Sequence, residues 1–484
     1  MSPPTTAPPV PDLLAIPASV WGIAAVVTFG SFMSGLDASL VNVGLDTIGR
    51  RLDAPLATTQ WIASGYLLAL AAALPASGWL SRRFGAGRGW LWSLGAFTAA
   101  SGLCALAPSI GLLIAGRALQ GVAGGLLVST GMTVLAGAAG PERMGRVLSI
   151  TGVPTVLAPA LGPAVGALLL AHLSWQWLFG INLPVGVLGV VLGLRFVPRG
   201  ERAPASRLDV SGLVLVAVGL PLVVFGITEA GSRATLTAAP VLLALLGGTA
   251  ALVTFGRRSL RREHPLLDLR VFTNRVFAAA CVELFFGGAA LFGGQVVLPL
   301  YFQLQRERPI VETGLLLLPF GLAAAATFPI AGRLTDRFGG GRVAAVGLAV
   351  TAVATAPMGW LPADVGLVPL EALQVLRGVG LALSGAPVVA AALAAVARHQ
   401  LADAIAEINI LSRVGGALGG ALLVVVLTSN LNQGVRGVAA TTAFQTTFWW
   451  MTGAALAALA AAGWLVVEQH RSHVRTSHEM EHHP

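Results

Sequence analysis

Apolar residues run in long stretches along this chain, parted by short segments where arginine, proline and glycine gather. A helix rises about 1.5 Å per residue, so roughly 20 apolar residues cross a hydrocarbon core of about 30 Å. About fourteen stretches reach that length. The first six are 19–44, 58–80, 89–107, 109–136, 145–172 and 175–197. A pair at 210–230 and 236–256 follows, set off by polar segments on both sides. Six more occupy 275–303, 311–333, 343–361, 366–396, 402–428 and 444–468. The pattern predicts an all-α polytopic membrane protein, and an even number of crossings puts both termini on one side.

Arginine placement orients the chain, because cytoplasmic loops carry the excess positive charge. With both termini cytoplasmic, 21 of the 30 basic residues fall on that side and six on the other, Arg50, Arg51, Arg233, Arg306, Arg308 and Arg436. Arg117, Arg377 and Arg413 fall inside the spans. The expected location is the cell inner (plasma) membrane, multi-pass. The densest basic segment, Arg257 to Arg275, has Leu266, Leu267, Leu269 and Phe272 interleaved. It is read either as a short helix lying in the interface or as a solvated loop touching anionic head groups, which makes membrane lipids a partner.

Composition narrows the function. The chain is 55% hydrophobic and 11% charged, with 60 glycines suited to close helix packing. All of its basic side chains apart from histidine are arginines, so the lysine-bearing phosphate loop of an ATP-driven pump is excluded. Uphill movement would need another gradient, and no cofactor is expected beyond a proton gradient as energy source. A net charge of +9 does not point to nucleic acid, because the arginines sit in separate short loops. The two cysteines, Cys104 and Cys281, lie in apolar stretches and are read as packing residues. His478 to His482 spells H-E-x-x-H, but in a polar tail with no apolar face to hold a helix and no enclosing pocket, so no metal site and no enzyme is expected. The first 17 residues have no basic cluster before the apolar run and do not resemble a cleaved secretory signal.

An internal repeat ties the two six-span sets together. Gly78-Trp-Leu-Ser-Arg-Arg-Phe-Gly-Ala-Gly-Arg88 matches Gly332-Arg-Leu-Thr-Asp-Arg-Phe-Gly-Gly-Gly-Arg342 at seven of eleven positions. Each copy follows the second span of its set, and the pair at 210–256 fills the extra length between them. The expected organisation is a tail at 1–18, a six-helix bundle at 19–197, a two-helix insertion with cytoplasmic linkers at 198–274, a second bundle at 275–468 and a His-rich cytoplasmic tail at 469–484. Two pseudo-symmetric bundles, six plus two plus six, suit a transporter that rocks about a central site.

The repeated loop resembles the signature between the second and third helices of the major facilitator superfamily. Leu36-Asp37, Val41-Asn42-Val43, Gln60-Trp61, Tyr66-Leu67, Arg117-Ala-Leu-Gln120-Gly121, Gly162-Pro163-Ala-Val-Gly166 and Trp175 to Gly186 are similar to the fourteen-helix drug/proton antiporter family within it. The resemblance implies a proton-coupled exporter of drugs or other amphiphilic small molecules, working by alternating access. An importer or facilitator on the same fold, or a non-transporting membrane sensor, is the alternative. Protons and a small-molecule substrate are the expected partners, and a monomer the expected state.

Candidate residues follow from burial cost and from the motifs. Arginine inside a bilayer costs at least about 2.5–3.5 kcal/mol and is kept facing a cavity or a partner. Arg117 and Asp37 lie at comparable depth, and a carboxylate beside an arginine in a dry site is poised between charge states. They are assigned to proton coupling, with Glu283 near mid-membrane and Glu407, expected to reach cytoplasmic water. Glu283 is alternatively a carboxyl that stays protonated or pairs with Arg377 or Arg413. Asp46, Glu312 and Glu371 are expected to be solvated. Gating is assigned to Gly78, Arg83, Gly85, Arg88, Asp336, Arg337 and Gly339 of the repeated loops, and to Gly152, Pro159, Gly162, Pro163 and Gly166 of the fifth span, whose prolines and glycines predict a bent, closely packed helix. Asn42, Tyr66, Gln120, Gln295, Gln303, Arg377 and Arg413 are expected to line the substrate cavity. Where the family's first loop has aspartate, this chain has Arg82, which calls the first of two conformational latches into question.

Overall fold

A computed structural model describes residues 16–140, 143–201, 208–232, 237–262, 265–362, 365–431 and 438–481. The tail expected at 1–18 lies almost wholly outside them, as do Arg202, Arg207, Arg233, His264 and Arg436. The first set of helices comprises α1 (Ala18–Arg51), the short α2 (Leu56–Thr59), α3 (Trp61–Ala73), α4 (Ala76–Phe84), α5 (Ala86–Ala105), α6 (Ile110–Ala139), α7 (Met144–His172), the short α8 (Trp177–Gly180) and α9 (Asn182–Phe196). A pair follows, α10 (Val210–Ser232) and α11 (Ala239–Arg261). The last set is α12 (Arg275–Leu300), α13 (Ile310–Phe338), α14 (Gly340–Thr355), α15 (Leu367–Ala394), α16 (Leu401–Leu431) and α17 (Val438–Glu481).

Among the described residues eleven helices are long and apolar enough to cross a membrane, or twelve when α3 and α4 count as one bent span. The bend between them is 55° and falls at Leu74-Pro75, where proline removes a backbone donor. α5 and the first half of α7 are helical but fall short by length or hydropathy. Local sequence explains the helix ends. Ser109 accepts from the Leu112 N–H at 3.4 Å, and Asn274 accepts from Val276 and Phe277 at 3.0 and 3.2 Å. Pro299 withdraws a donor from the end of α12, and the chain answers with a π turn over Tyr301–Gln305, in which the Arg306 N–H donates to the Tyr301 carbonyl at 3.2 Å.

The repeated loop has the same backbone twice. Gly85 ends α4 at φ 89, ψ 136 and Gly339 ends α13 at φ 85, ψ 147, a left-handed conformation that a side chain would strain. Both glycines are followed at once by the next helix, which turns each loop into a rigid corner.

α1 packs on α6, α7 and α9, while α3 and α5 pack on α6. In the second set α12 packs on α16 and α17, and α15 on α13 and α14. The sets meet where α13 lies along α7 and where α16 touches α4 and α6. At the end that carries Arg82 and Asp336 one apolar core spans both sets, joining Val134, Leu135 and Met144 to Leu393, Ile405 and Ile408. At the opposite end each set has its own core, around Ile48, Trp175 and Phe179 in the first and around Tyr301, Phe444 and Phe448 in the second. The bundles are thus closed on each other at one end only.

Two expectations about the polar segments change. After α11 the chain forms a single 3-10 turn at Leu269–Thr273, and Leu266 and Leu267 are buried against Val216, Phe255 and Ala406. Those apolar side chains cover α10 and α16 instead of lying in an interface. The tail expected to lack a helix continues α17 to Glu481, because no glycine or proline interrupts the chain between Trp464 and that residue. Among the described residues no cluster of histidine, cysteine or carboxylate side chains is arranged to hold a metal.

Asp209 anchors the α10–α11 pair. Its carboxylate accepts from the Gly212 N–H and Ser211 hydroxyl, each at 3.1 Å, and pairs with Arg258 at 3.4 Å and Arg262 at 3.0 Å. Burial pushes this carboxyl up, but the Gly212 N–H, Arg258, Ser211 and Arg262 together outweigh it and hold it below its ordinary value. A lowered folded-state value means the stabilisation is complete above the ordinary carboxylate range and is lost as pH falls through the folded value. Asp209→Asn keeps the cap acceptor but loses two half-exposed ion pairs, an expected cost of about 0.5–1 kcal/mol at neutral pH. Thermal melts in detergent should show that difference vanish in acid; a difference that grows there would contradict the sign.

Candidate functional site

The strongest concentration of buried charge lies where α1, α3, α5, α6 and α9 converge. Arg117 and Asp37 are 1% and 0% exposed, which forces each to find its partners inside the protein. The Arg117 Nη1 donates to Asp37 Oδ2 and to Gln120 Oε1, both at 2.6 Å, and Nε donates to the Ile62 carbonyl at 3.1 Å. Asp37 Oδ1 accepts from Gln120 Nε2 at 3.0 Å and from Asn182 Nδ2 at 2.6 Å, while Gln120 Nε2 also donates to Ser101 Oγ at 2.7 Å. The guanidinium lies 4.1 Å from the Tyr66 ring centroid. In such a site each charge depends on the other, so the ion pair ties the packing of α1 to that of α6.

Tyr66 connects this cluster to a cavity of about 390 Å³ between the two bundles, lined also by Ser34, Met132, Thr151, Phe328 and Arg413. Its hydroxyl lies 3.1 Å from Ser34 Oγ. Of the residues expected at a substrate cavity, Tyr66 and Arg413 line this one. Gln120 does not, because its amide is consumed by the Asp37–Arg117 cluster. Asn42 lies five residues beyond Asp37 on the same helix, about 140° around it at 100° per residue, and is exposed. Gln295 is exposed and Gln303 half-buried, and neither lines the cavities described here. Arg377 is buried at a second cavity, of about 90 Å³, inside the second bundle.

Of the remaining acids, Glu407 and Glu371 depart from expectation in burial. Glu283 is 2% exposed at one wall of that second cavity, and its Oε2 has no hydrogen-bond partner among the described residues. Among the described residues no ion pair joins it to Arg377 or Arg413. Glu407, expected to reach water, is 2% exposed with both oxygens enclosed and unpaired, because α16 packs along α10 and α12 at that level. Glu371 is half-buried with both carboxylate oxygens enclosed, whereas Asp46 and Glu312 reach solvent and pair with Arg50 and Arg308 one turn away.

The loop residues build two inter-bundle ion pairs. Asp336 pairs with Arg146 of α7 at 2.8 Å. Arg82 pairs with Asp403 of α16. Arg82 and Asp336 hold the same position in the repeat, and Arg146 and Asp403 are each the third residue of their helices. The first latch is therefore present with its charges exchanged, a correction to the expectation drawn from Arg82. Gly78 and Gly332 allow the approach: a Cβ on Gly78 would meet Asp403 at 2.6 Å, and one on Gly332 would meet Arg146 at 3.0 Å. Arg88 donates to the Phe84 and Gly200 carbonyls at 3.1 and 3.3 Å, Arg337 lies 5.1 Å from the Phe338 ring, and Arg83 is exposed. Gly152 faces Phe328 across the bundle interface, while Gly162 and Gly166 face Ser39 and Leu40 of α1. α7 stays helical through Pro159 and Pro163, whose side chains lie outside the described residues.

The family model described as Major Facilitator Superfamily matches residues 27–420 and 312–484. The chain belongs to the Major Facilitator Superfamily. Within the superfamily it is 35% identical over 413 residues to a "Multidrug resistance protein B homolog" of Mycobacterium tuberculosis, covering 85% of this chain and 76% of that one. It is 32% identical over 431 residues to the "Tetracenomycin C resistance and export protein" of Streptomyces glaucescens, with 85% and 77% covered. Lincomycin resistance protein LmrB of Bacillus subtilis is 27% identical over 415 residues, with 85% and 86% covered. Among solved structures of the superfamily fold, a proton:xylose symporter superposes with a TM-score of 0.63 at 15% identity, covering 92% of this chain and 95% of that one. A superfamily transporter is not an enzyme, as expected from the setting of the H-E-x-x-H motif in a polar tail.

Reading the sequence for charge missed the polar neutral members of the cluster, Asn182 and Ser101, and the acid Asp403. Asn182 stood in a quoted motif, and an isolated amide in an apolar helix was the available signal. For Asp403 the signal was Arg82 itself, since a reversed charge in one copy of a repeat asks for a reversed partner. Arg82→Asp and Asp403→Arg should each destabilise the closed end, and the double exchange should recover stability, with a coupling of about 1–2 kcal/mol in a double-mutant thermal cycle. Additive losses would show that the pair is incidental.

Proposed function

We propose that the chain is a proton-coupled exporter of drugs or other amphiphilic small molecules that works by alternating access. The observation that carries this reading is the enclosed Asp37–Arg117 cluster, whose Tyr66 also borders the cavity between the bundles. A titratable ion pair sharing a wall with an inter-bundle cavity gives proton binding a route to bundle motion. The names of the relatives, resistance and export proteins among them, support the direction and the chemical class of cargo.

In this reading the fourteen apolar stretches are all spans, arranged six plus two plus six, with both termini cytoplasmic in the plasma membrane. The charge-exchanged latches then close the cytoplasmic end, and the separate cores at the other end belong to an outward-open state. Asp37, Arg117, Glu283 and Glu407 form the coupling set, energy comes from the proton gradient without a bound cofactor, and the working unit is a monomer.

Purified protein in liposomes with an imposed pH gradient tests this, using a panel of lipophilic fluorescent compounds as cargo. Asp37→Asn and Glu283→Gln are each expected to lower gradient-driven flux about tenfold or more, because a carboxyl that cannot titrate cannot couple. Unchanged flux in both variants would remove the assigned carriers, and absence of any pH-driven flux in the wild type would remove the exporter.

A further inference from the structure

The second bundle contains a rearranged and incomplete copy of the Asp37–Arg117 cluster. In the first bundle Gly121 of α6 sits against the Tyr66 carbonyl of α3; in the second, Gly378 of α15 sits against the Phe320 carbonyl of α13. That matched contact aligns Arg117-Ala-Leu-Gln120-Gly121 with Gln374-Val-Leu-Arg377-Gly378. Arginine and glutamine have exchanged places, and Phe320 stands for Tyr66 beneath the guanidinium, 5.8 Å from it. Arg377 Nη1 donates to Gln374 Oε1 at 2.9 Å, repeating the arginine–glutamine bond of the first bundle.

The carboxylate is missing. In the first bundle the leading helix supplies Asp37; in the second the residue of α12 that abuts the Arg377 Nη2 is Gly294, which has no side chain. The nearest acid along α12 is Glu283, eleven residues and about 16 Å of helix away. Arg377 is 4% exposed and Gln374 0% exposed, yet Arg377 Nε and Gln374 Nε2 have no acceptor among the described residues. Three features coincide: a buried cation with no carboxylate partner among the described residues, an unsatisfied amide beside it, and a cavity of about 90 Å³ lined by Arg377, Phe320, Thr351 and Ser384.

We propose that this cavity binds a carboxylate carried by an amphiphilic small molecule, with Arg377 and Gln374 as donors and Phe320 against its apolar body, in the role that Asp37 fills for Arg117. The inference rests on the reading that the chain moves small molecules, and it names their acidic group. Glu283, which lines the same cavity eleven residues along α12 from Gly294, is not its partner.

Binding of 1-naphthoate and of neutral 1-naphthamide to the purified full-length chain in detergent, by equilibrium dialysis without a pH gradient, separates this site from the exporter reading. The wild type is expected to hold naphthoate about tenfold more tightly than the amide, since only the anion brings a charge opposite to that of the guanidinium. Arg377→Gln and Gly294→Asp should each bring that ratio to about one, the first by removing the donor and the second by supplying an internal carboxylate. Equal binding of the two probes by the wild type overturns the proposal, as does a ratio that survives in either Arg377→Gln or Gly294→Asp. The two site variants are read separately, so misfolding of one leaves the other decisive. Preserved selectivity alongside absent pH-driven flux would sink the exporter and keep the site.

Discussion

A guanidinium and a carboxylate, both closed off from solvent among five helices, set the terms for the first bundle. Neither Arg117 nor Asp37 can be removed without stranding the other, which in buried pairs costs about 3–5 kcal/mol. The surrounding polar groups answer that constraint. Gln120 bridges both charges, Asn182 and Ser101 complete the acceptors and donors, and Tyr66 supplies its ring face. Because these residues come from α1, α3, α5, α6 and α9, the ion pair also fixes how those helices meet.

The second bundle obeys the same backbone packing without that electrostatic closure. Its glycine contact and aromatic floor match, but Gly294 abuts the cation and the acid is gone. Twin halves have thereby diverged in chemistry while keeping a common frame: one carries its own counter-charge and the other has a cavity where a counter-charge would sit. The latches show the opposite behaviour. There the charges are exchanged between copies, and the interaction survives because both partners changed sign.

Much of this fold was legible in the chain. Apolar run length placed the helices to within a few residues at most ends, since the bilayer leaves backbone groups no partners but their own helix. Gly85 and Gly339 were visible as a repeat, and the left-handed corner they form follows from glycine alone. The cost of burying arginine singled out Arg117 and Arg377 before any contact was known. What misled was single-residue depth. Glu407 is two turns into its helix, which suggested access to water, but neighbouring helices cover it. Asn42 and Gln295 are polar within apolar stretches, and only the rotation of their helices decides which side they face.

The sequence by itself determined an all-helical membrane protein with two related halves, no lysine-dependent phosphate loop and a small number of intramembrane charges, because hydropathy, charge bias and repeat spacing act locally along the chain. Tertiary structure alone decided which charges meet. Arg117 finds Asp37 across 80 residues and Arg82 finds Asp403 across 321, distances at which no local rule operates. Ion pairing depends on atoms a few ångströms apart, and in a helical membrane protein that separation is set by how helices rotate and cross, which spacing along the chain does not encode.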